Sequence, residues 1–363
     1  MDGPLVIPPV IPLAWDADPE VATDAAVVGG KGASLGELAR AGIAVPPGFA
    51  VTTGAFIAAL AVIDPGGALR AALETSPAGA SALRERIVTA PLPVSVASAI
   101  GSGYDSLGSG AAVAVRSSAT MEDSSAASFA GLQDTYLGVA GLSSVLDGVR
   151  RCWASLYNDE SVAYRRHLGM PEDSLAMAVV VQRMVRPRAA GVMFTRSPVS
   201  GDRSVVAIEG TWGLGSALVA GDVTPDSFVV SKITGEITGR RVSAKERLHS
   251  FLPNGRGVTA EDTPASLRDA PCLTDDEIRA LAAVARTVEA RYGAPQDIEW
   301  ALLNEPAPAE PSPSASAPSE PADRIVLLQS RPETVWAAKA APPVAAPKAR
   351  PADHVLSLFG KPQ

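Results

Sequence analysis

Cysteine is nearly absent from this 363-residue chain, which has 2 in all. Cys152 and Cys272 cannot build a disulfide framework or a four-thiolate metal site, and Cys152 falls in an apolar helical stretch that suits a small buried hydrophobe. Histidine is limited to three residues, His167, His249 and His354. Positive charge is in deficit, with 31 Lys+Arg against 39 Asp+Glu and a formal charge of −8. That balance excludes a surface that wraps nucleic acid or anionic lipid, while leaving room for a local basic pocket. No uninterrupted apolar run reaches the roughly 20 residues that span a bilayer. The first residues lack a basic segment, and Pro4, Pro8, Pro9 and Pro12 break their apolar run. No secretory leader is expected, and the cytoplasm is the expected location.

Proline and glycine are plentiful, at 31 and 32, and their clusters punctuate a mixed α+β pattern. Leu35, Leu38 and Ala39 make a helical stripe after the turn Val28-Gly29-Gly30-Lys31-Gly32, and Gly42 is its expected stop. Ala111–Val115 reads as a buried strand ending just before Arg116-Ser117-Ser118. Ser143 to His167 has a helical pattern. Met177–Val185 reads as a β-branched strand with Ala190–Thr195 as its hairpin partner. Thr274 and Glu277 form a capping-box signature, followed by the stripe Ile278, Leu281, Ala285 and Val288 and by Gly293 as terminator. The Pro/Ser/Ala/Glu composition of 304–323 cannot bury enough surface to fold and predicts a flexible insertion; 337–363 predicts a flexible tail. The expected division is an arm over 1–14, a first subdomain over 15–175 and a second over 176–336.

Three clusters could carry chemistry. Strand alternation puts Asp297 and Glu299 on one face, and Gln329 and Arg331 on one face of the next strand. Antiparallel pairing of Glu299 with Gln329 would set Asp297 opposite Arg331. Hard oxygen ligands suited to Mg²⁺ would then lie beside a guanidinium suited to phosphate; an exposed face with a cross-strand Asp–Arg pair fits the spacing equally well. Gly29-Gly30-Lys31-Gly32 lets backbone approach an anion at a helix start, or is a surface turn. Arg116-Ser117-Ser118-Ala119-Thr120 suits phosphate oxygens, or is a Ser-rich loop with a solvated Arg.

Together with Cys152–Tyr157, Val179–Pro198 and Trp212–Phe228, and in this order, these stretches resemble the nucleotide-binding region of the pyruvate phosphate dikinase and phosphoenolpyruvate synthase family, which rifampin phosphotransferases share. The resemblance implies an ATP-grasp-type fold, two subdomains clamping ATP. It implies phosphate-binding roles for Lys31, Arg116 and Arg331, Mg²⁺ ligation by Glu299 and Gln329, and a nearby acid at Asp297. It implies an adenine-reading hinge at Gln182, Met184 and Val185, and a phosphate-closing loop with Gly131, Gln133 and Thr135. Leu132 and Ser216 depart from the Gln and Glu frequent in the family. His249 and His354 lack the Gly-rich setting of the family's phosphohistidine, and His167 follows Arg165-Arg166 near an expected helix end, where a cap or solvent contact is the ordinary reading. The expected function is therefore the ATP-binding half of a split phosphotransferase that passes phosphoryl groups to a histidine on a separate swivelling partner and on to a small-molecule acceptor. Direct phosphorylation of a small molecule, and ATP binding without turnover, are the alternatives.

Overall fold

Two antiparallel sheets divide the chain in sequence order. The computed structural model describes residues 7–14, 17–73, 77–108, 110–120, 123–124, 127–128, 134–167, 175–305, 321–334 and 336. The first stretch runs β1 (Val10–Pro12), α1 (Pro19–Ala22), α2 (Ala25–Arg40), β2 (Gly48–Val51), α3 (Thr53–Ile63), α4 (Ala68–Ala72), α5 (Pro77–Thr89), α6 (Val94–Ser106) and β3 (Val113–Ala119). The short ribbon β4 (Asp123–Ser124) and β5 (Ala127–Ser128) follows, then β6 (Thr135–Val139), α7 (Leu142–Ser155), α8 (Asp159–His167) and β7 (Met177–Arg183). Five of these strands form one sheet in the order β1-β2-β7-β3-β6.

The second stretch comprises β8 (Pro187–Phe194), β9 (Val205–Trp212), α9 (Ser216–Val219), β10 (Asp226–Ser231), β11 (Ile237–Arg241), β12 (Arg247–Phe251), β13 (Val258–Asp262), α10 (Ala265–Arg268), α11 (Asp275–Tyr292), β14 (Gln296–Leu303) and β15 (Ile325–Pro332). Its sheet has the order β11-β10-β9-β8-β14-β15, with β12 and β13 as a separate ribbon. The tip of that ribbon reaches the first sheet, where Gly257 N–H donates to Gly138 O at 2.7 Å.

Each sheet has its own core. Val113, Val115, Val179 and Val181 pack with Phe56, Leu83 and Trp153 of the helices, and with Tyr157 between α7 and α8, over one face of the first sheet. Ile298, Trp300, Phe228 and Leu327 pack against the α11 stripe of Ile278, Leu281, Ala285 and Val288 in the second. The α11 capping box is present, with Thr274 Oγ accepting from Glu277 N–H and Thr274 N–H donating to Glu277 Oε2, and Gly293 closes the helix in the left-handed region. α2 packs Val28 and Leu35 onto Ala50 and Val180 of the first sheet and sends Leu38 into the second core. It thereby bridges the two.

Several expectations change. β7 does not pair with β8, because β2 and β3 already occupy both its edges; Met184–Arg186 instead carries the chain from one sheet to the other. β7 therefore belongs with the strands before residue 175, and the expected arm contributes β1 to the same sheet. β3 continues through Ala119, so Ser117 and Ser118 are buried strand residues rather than loop. The helical pattern over 143–167 breaks at Leu156-Tyr157-Asn158 into α7 and α8. At the expected insertion, 306–320 lies outside the described residues, but Pro321–Arg324 forms a 3₁₀ turn. The expected tail at 337–363 also lies outside them. No single helix among the described residues is long and apolar enough to cross a membrane.

Candidate functional site

In the β14–β15 register Asp297 pairs with Arg331 and Glu299 with Gln329, the pairing under which the two alternating faces coincide. Alternation alone does not anticipate a bulge directly after it. Trp300 pairs with Leu327, leaving Leu328 as an extra residue. A bulge re-aims backbone groups, and here Leu328 O accepts from Arg116 Nη1 at 3.1 Å. Arg116 Nη2 donates to Glu299 Oε2 at 2.9 Å and to Gln329 Oε1 at 2.8 Å. One side chain from the first sheet thus holds three acceptors on the second.

Lys31 is brought to the same place by a kink in α2. Gly29 sits at φ 71° and ψ 170°, a conformation strained for L side chains. A Cβ there would lie 2.0 Å from Ser118 O. The Ser118 hydroxyl fixes the kink, donating to Val28 O at 2.9 Å and accepting from Gly32 N–H at 3.1 Å. Ser118 is therefore a positioning residue turned toward α2 rather than toward a phosphate. Its only sequence signal is its place two residues after Arg116.

The charges respond to one another. Burial by itself would raise Glu299, but Arg116, with Lys31 and Arg331 adding to it, holds the carboxyl below the usual carboxylate range. Burial pushes Asp297 up to about 6 against the pull of Arg331, and Glu333 adds to the rise. The Arg331 Nε to Asp297 Oδ2 distance is 3.6 Å, an ion pair without a good hydrogen bond. Asp297 Oδ1 is buried with no hydrogen-bond partner among the described residues. An orphaned buried oxygen next to Glu299 and Gln329 fits a hard divalent cation, which would take its remaining ligands from water or phosphate. Lys31, Arg116 and Arg331 all act on Glu299, and such a set of cations suits a polyanion.

Thr135 pairs with Arg116 at the start of β6, so it borders the cluster. Gly131 and Gln133 lie outside the described residues. Gln182, Met184 and Val185 sit apart from the charged cluster, at the crossing between sheets. Gln182 Nε2 donates to Pro46 O at 3.2 Å, and Met184 N–H donates to Ala112 O at 2.9 Å. Val185 packs with Leu328 against Ala190, Ala301, Leu303 and Val326, an apolar patch beside the bulge.

Comparison with known proteins shows the family. The family model described as "Pyruvate phosphate dikinase, AMP/ATP-binding domain" matches residues 25–351. The chain belongs to this family. The AMP/ATP-binding domain is 45% identical over 289 residues to a rifampicin phosphotransferase from Streptomyces sp, covering 76% of this chain and 33% of the relative. It is 39% identical over 350 residues to a phosphoenolpyruvate synthase of Aeropyrum pernix, covering 86% of this chain and 41% of the relative. It is also 41% identical over 310 residues to the prodigiosin synthesizing transferase PigC of Serratia marcescens, covering 85% and 32%. The domain thus spans about a third of the length of these curated relatives.

Proposed function

We propose that this AMP/ATP-binding domain clamps Mg·ATP between its two sheets in an ATP-grasp-type arrangement and passes a phosphoryl group to a histidine on a separate partner domain, which serves a small-molecule acceptor. In this reading the two subdomains meet at Met184–Arg186, Lys31, Arg116 and Arg331 bind the phosphates, and Glu299 and Gln329 hold the Mg²⁺ with Asp297 nearby. Gly131, Gln133 and Thr135 close over the phosphates. The adenine lies on Val185, Ala190, Val326 and Leu328, beside the hinge of Gln182, Met184 and Val185; because the Met184 N–H is bonded to Ala112 O, the backbone of Val185 and the Met184 carbonyl read its edge. The bound metal supplies charge neutralisation, and the chain's own cations steady the charge that spreads during transfer. The site would act in the cytoplasm.

The observation that carries this reading is the convergence of Arg116 from one sheet on Glu299 and Gln329 from the other, with both Lys31 and Arg331 close enough to influence Glu299. His249 argues for an acceptor elsewhere, because Ser216 Oγ engages its Nδ1 at 2.9 Å and Asp222 Oδ2 its Nε2 at 3.0 Å. Incubation with γ- or β-labelled ATP and candidate phosphohistidine proteins should transfer label to one of them in a Mg²⁺-dependent way. Label that reaches a small molecule with no second protein present would select direct phosphorylation. Tight ATP binding with no transfer to any candidate would select a non-catalytic module.

A further inference from the structure

We propose that Arg116 is an internal stand-in for the metal, so that the site accepts a divalent ion only in company with a nucleotide triphosphate. This rests on the Mg·ATP reading above and adds the form in which the substrate enters. A single nitrogen, Arg116 Nη2, bridges Glu299 Oε2 at 2.9 Å and Gln329 Oε1 at 2.8 Å. Those two side chains are the ones a divalent ion would use, and a guanidinium nitrogen bridging both competes for their lone pairs.

The competition is electrostatic as well as geometric. The Arg116 side chain is 13% exposed, so little water screens its charge from a cation arriving at the same oxygens. Lys31 and Arg331, which also act on Glu299, add to the repulsion. Asp297 leaves Oδ1 without a hydrogen-bond partner among the described residues, but Arg331 stands 3.6 Å from its other oxygen and adds to the repulsion.

Nucleotide changes the balance through Arg116 itself. The guanidinium is incompletely satisfied where it stands: its Nε is buried with no hydrogen-bond partner among the described residues. A phosphate chain presents oxygens that match the planar fork of an Arg in two-point contact. Moving Arg116 onto phosphate releases Glu299 and Gln329 as the compensating cation arrives with the nucleotide. The bulge at Leu328, whose carbonyl holds Arg116 Nη1 at 3.1 Å, gives the side chain a fixed resting place. A simple inter-sheet ion pair would show the same bonds, but Arg116 would stay on Glu299 and Gln329 when nucleotide binds, and its removal would not weaken nucleotide binding.

The experiment titrates the full chain with Mn²⁺ alone and follows free Mn²⁺ by electron paramagnetic resonance, then repeats the titration with a non-hydrolysable ATP analogue. Without nucleotide, Arg116→Met should bind Mn²⁺ roughly tenfold more tightly than the unaltered chain, the size expected from freeing a charge-assisted hydrogen-bonded pair. The gain should vanish in the Arg116→Met, Glu299→Gln double variant. With the analogue, Arg116→Met should bind nucleotide more weakly. Arg116→Gln, which keeps an amide in place, serves the same test if Arg116→Met does not fold. Should neither variant gain Mn²⁺ affinity while the unaltered chain still binds Mn²⁺ with the analogue, the stand-in role is overturned and the ATP site survives. An unaltered chain that binds neither analogue nor metal overturns both.

Discussion

Glu299 combines a depressed carboxyl with partial exposure of its side chain, 34%. Truncating it opens no sealed cavity, so function and folding should separate. Glu299→Ala should lower affinity for Mg·ATP at least about tenfold by isothermal titration, since a charge-assisted contact is worth roughly 1.5–3 kcal/mol, while thermal melting moves little. Loss of folded protein in this variant would contradict the half-buried, water-reached position of the side chain. Two glycines, one inside α2 and one just past its end, make a second residue-level contrast. Gly29 and Gly42 both have positive φ, at 71° and 74°. A Cβ on Gly29 meets Ser118 O at 2.0 Å, whereas one on Gly42 meets nothing within 4 Å. Gly42→Ala should cost about 1–2 kcal/mol from backbone conformation alone, and Gly29→Ala clearly more, read side by side in urea unfolding. The facing of Asp297, Glu299, Gln329 and Arg331 was legible in the sequence because strand alternation has a period of two. The Leu328 bulge and the Ser118 contacts were not, because each depends on a partner distant in the chain.

Among the elements, α11 is the one most fully written in its own sequence, with cap, stripe and terminator all local. Its tertiary anchor is less visible. Glu277, 4% exposed, accepts from Arg188 Nη2 at 2.7 Å and Arg324 Nη2 at 3.0 Å while completing the capping box. Burial alone would raise its pKa, but the Thr274 N–H and Arg188 hold it below the usual carboxylate range. A lowered pKa means that the unfolded chain takes up the proton first as pH falls. The stabilisation is therefore complete above the unfolded value of about 4.3 and fades as pH drops through the folded one. Glu277→Gln should destabilise the chain by about 3 kcal/mol at pH 7, because it strands two guanidiniums in a largely buried setting. It should also flatten the acid side of the stability curve, measured by urea midpoints between pH 3 and 7. The β7–β8 expectation erred for an instructive reason: two apolar stretches close in sequence looked like a hairpin, but Val179 and Val181 face one core and Val180 another. A strand buried on both faces and flanked on both edges is central, and alternation within it says nothing about which neighbours it takes.

For the molecule as a whole, the mixed α+β composition was legible from pattern, and the bridging of both cores by α2 was not. The inserted stretch is a test of how local the second sheet is. Leu302 pairs directly with Ile325, so the ends of β14 and β15 already adjoin. Replacing 306–320 by a short Gly-Ser turn, with Arg324 kept, should shift stability by only about 1 kcal/mol, the slow dependence of loop closure on length. Calorimetry of the two versions would show it, and collapse of the shortened chain would mean that the segment has a structural role.

The one passage between sheets at Met184–Arg186 also sets a timetable. A nascent chain leaving the ribosome delivers every strand of the first sheet before any strand of the second, and domains fold as units during synthesis. Lys31 and the β3 backbone that carries Arg116 can be placed while Glu299, Leu328 and Gln329, the partners of the Arg116 guanidinium, are still untranslated. The cluster around Glu299 is then completed only with β15, and a translation product truncated before β14 would keep Lys31 and Arg116 but lack Asp297, Glu299, Gln329 and Arg331.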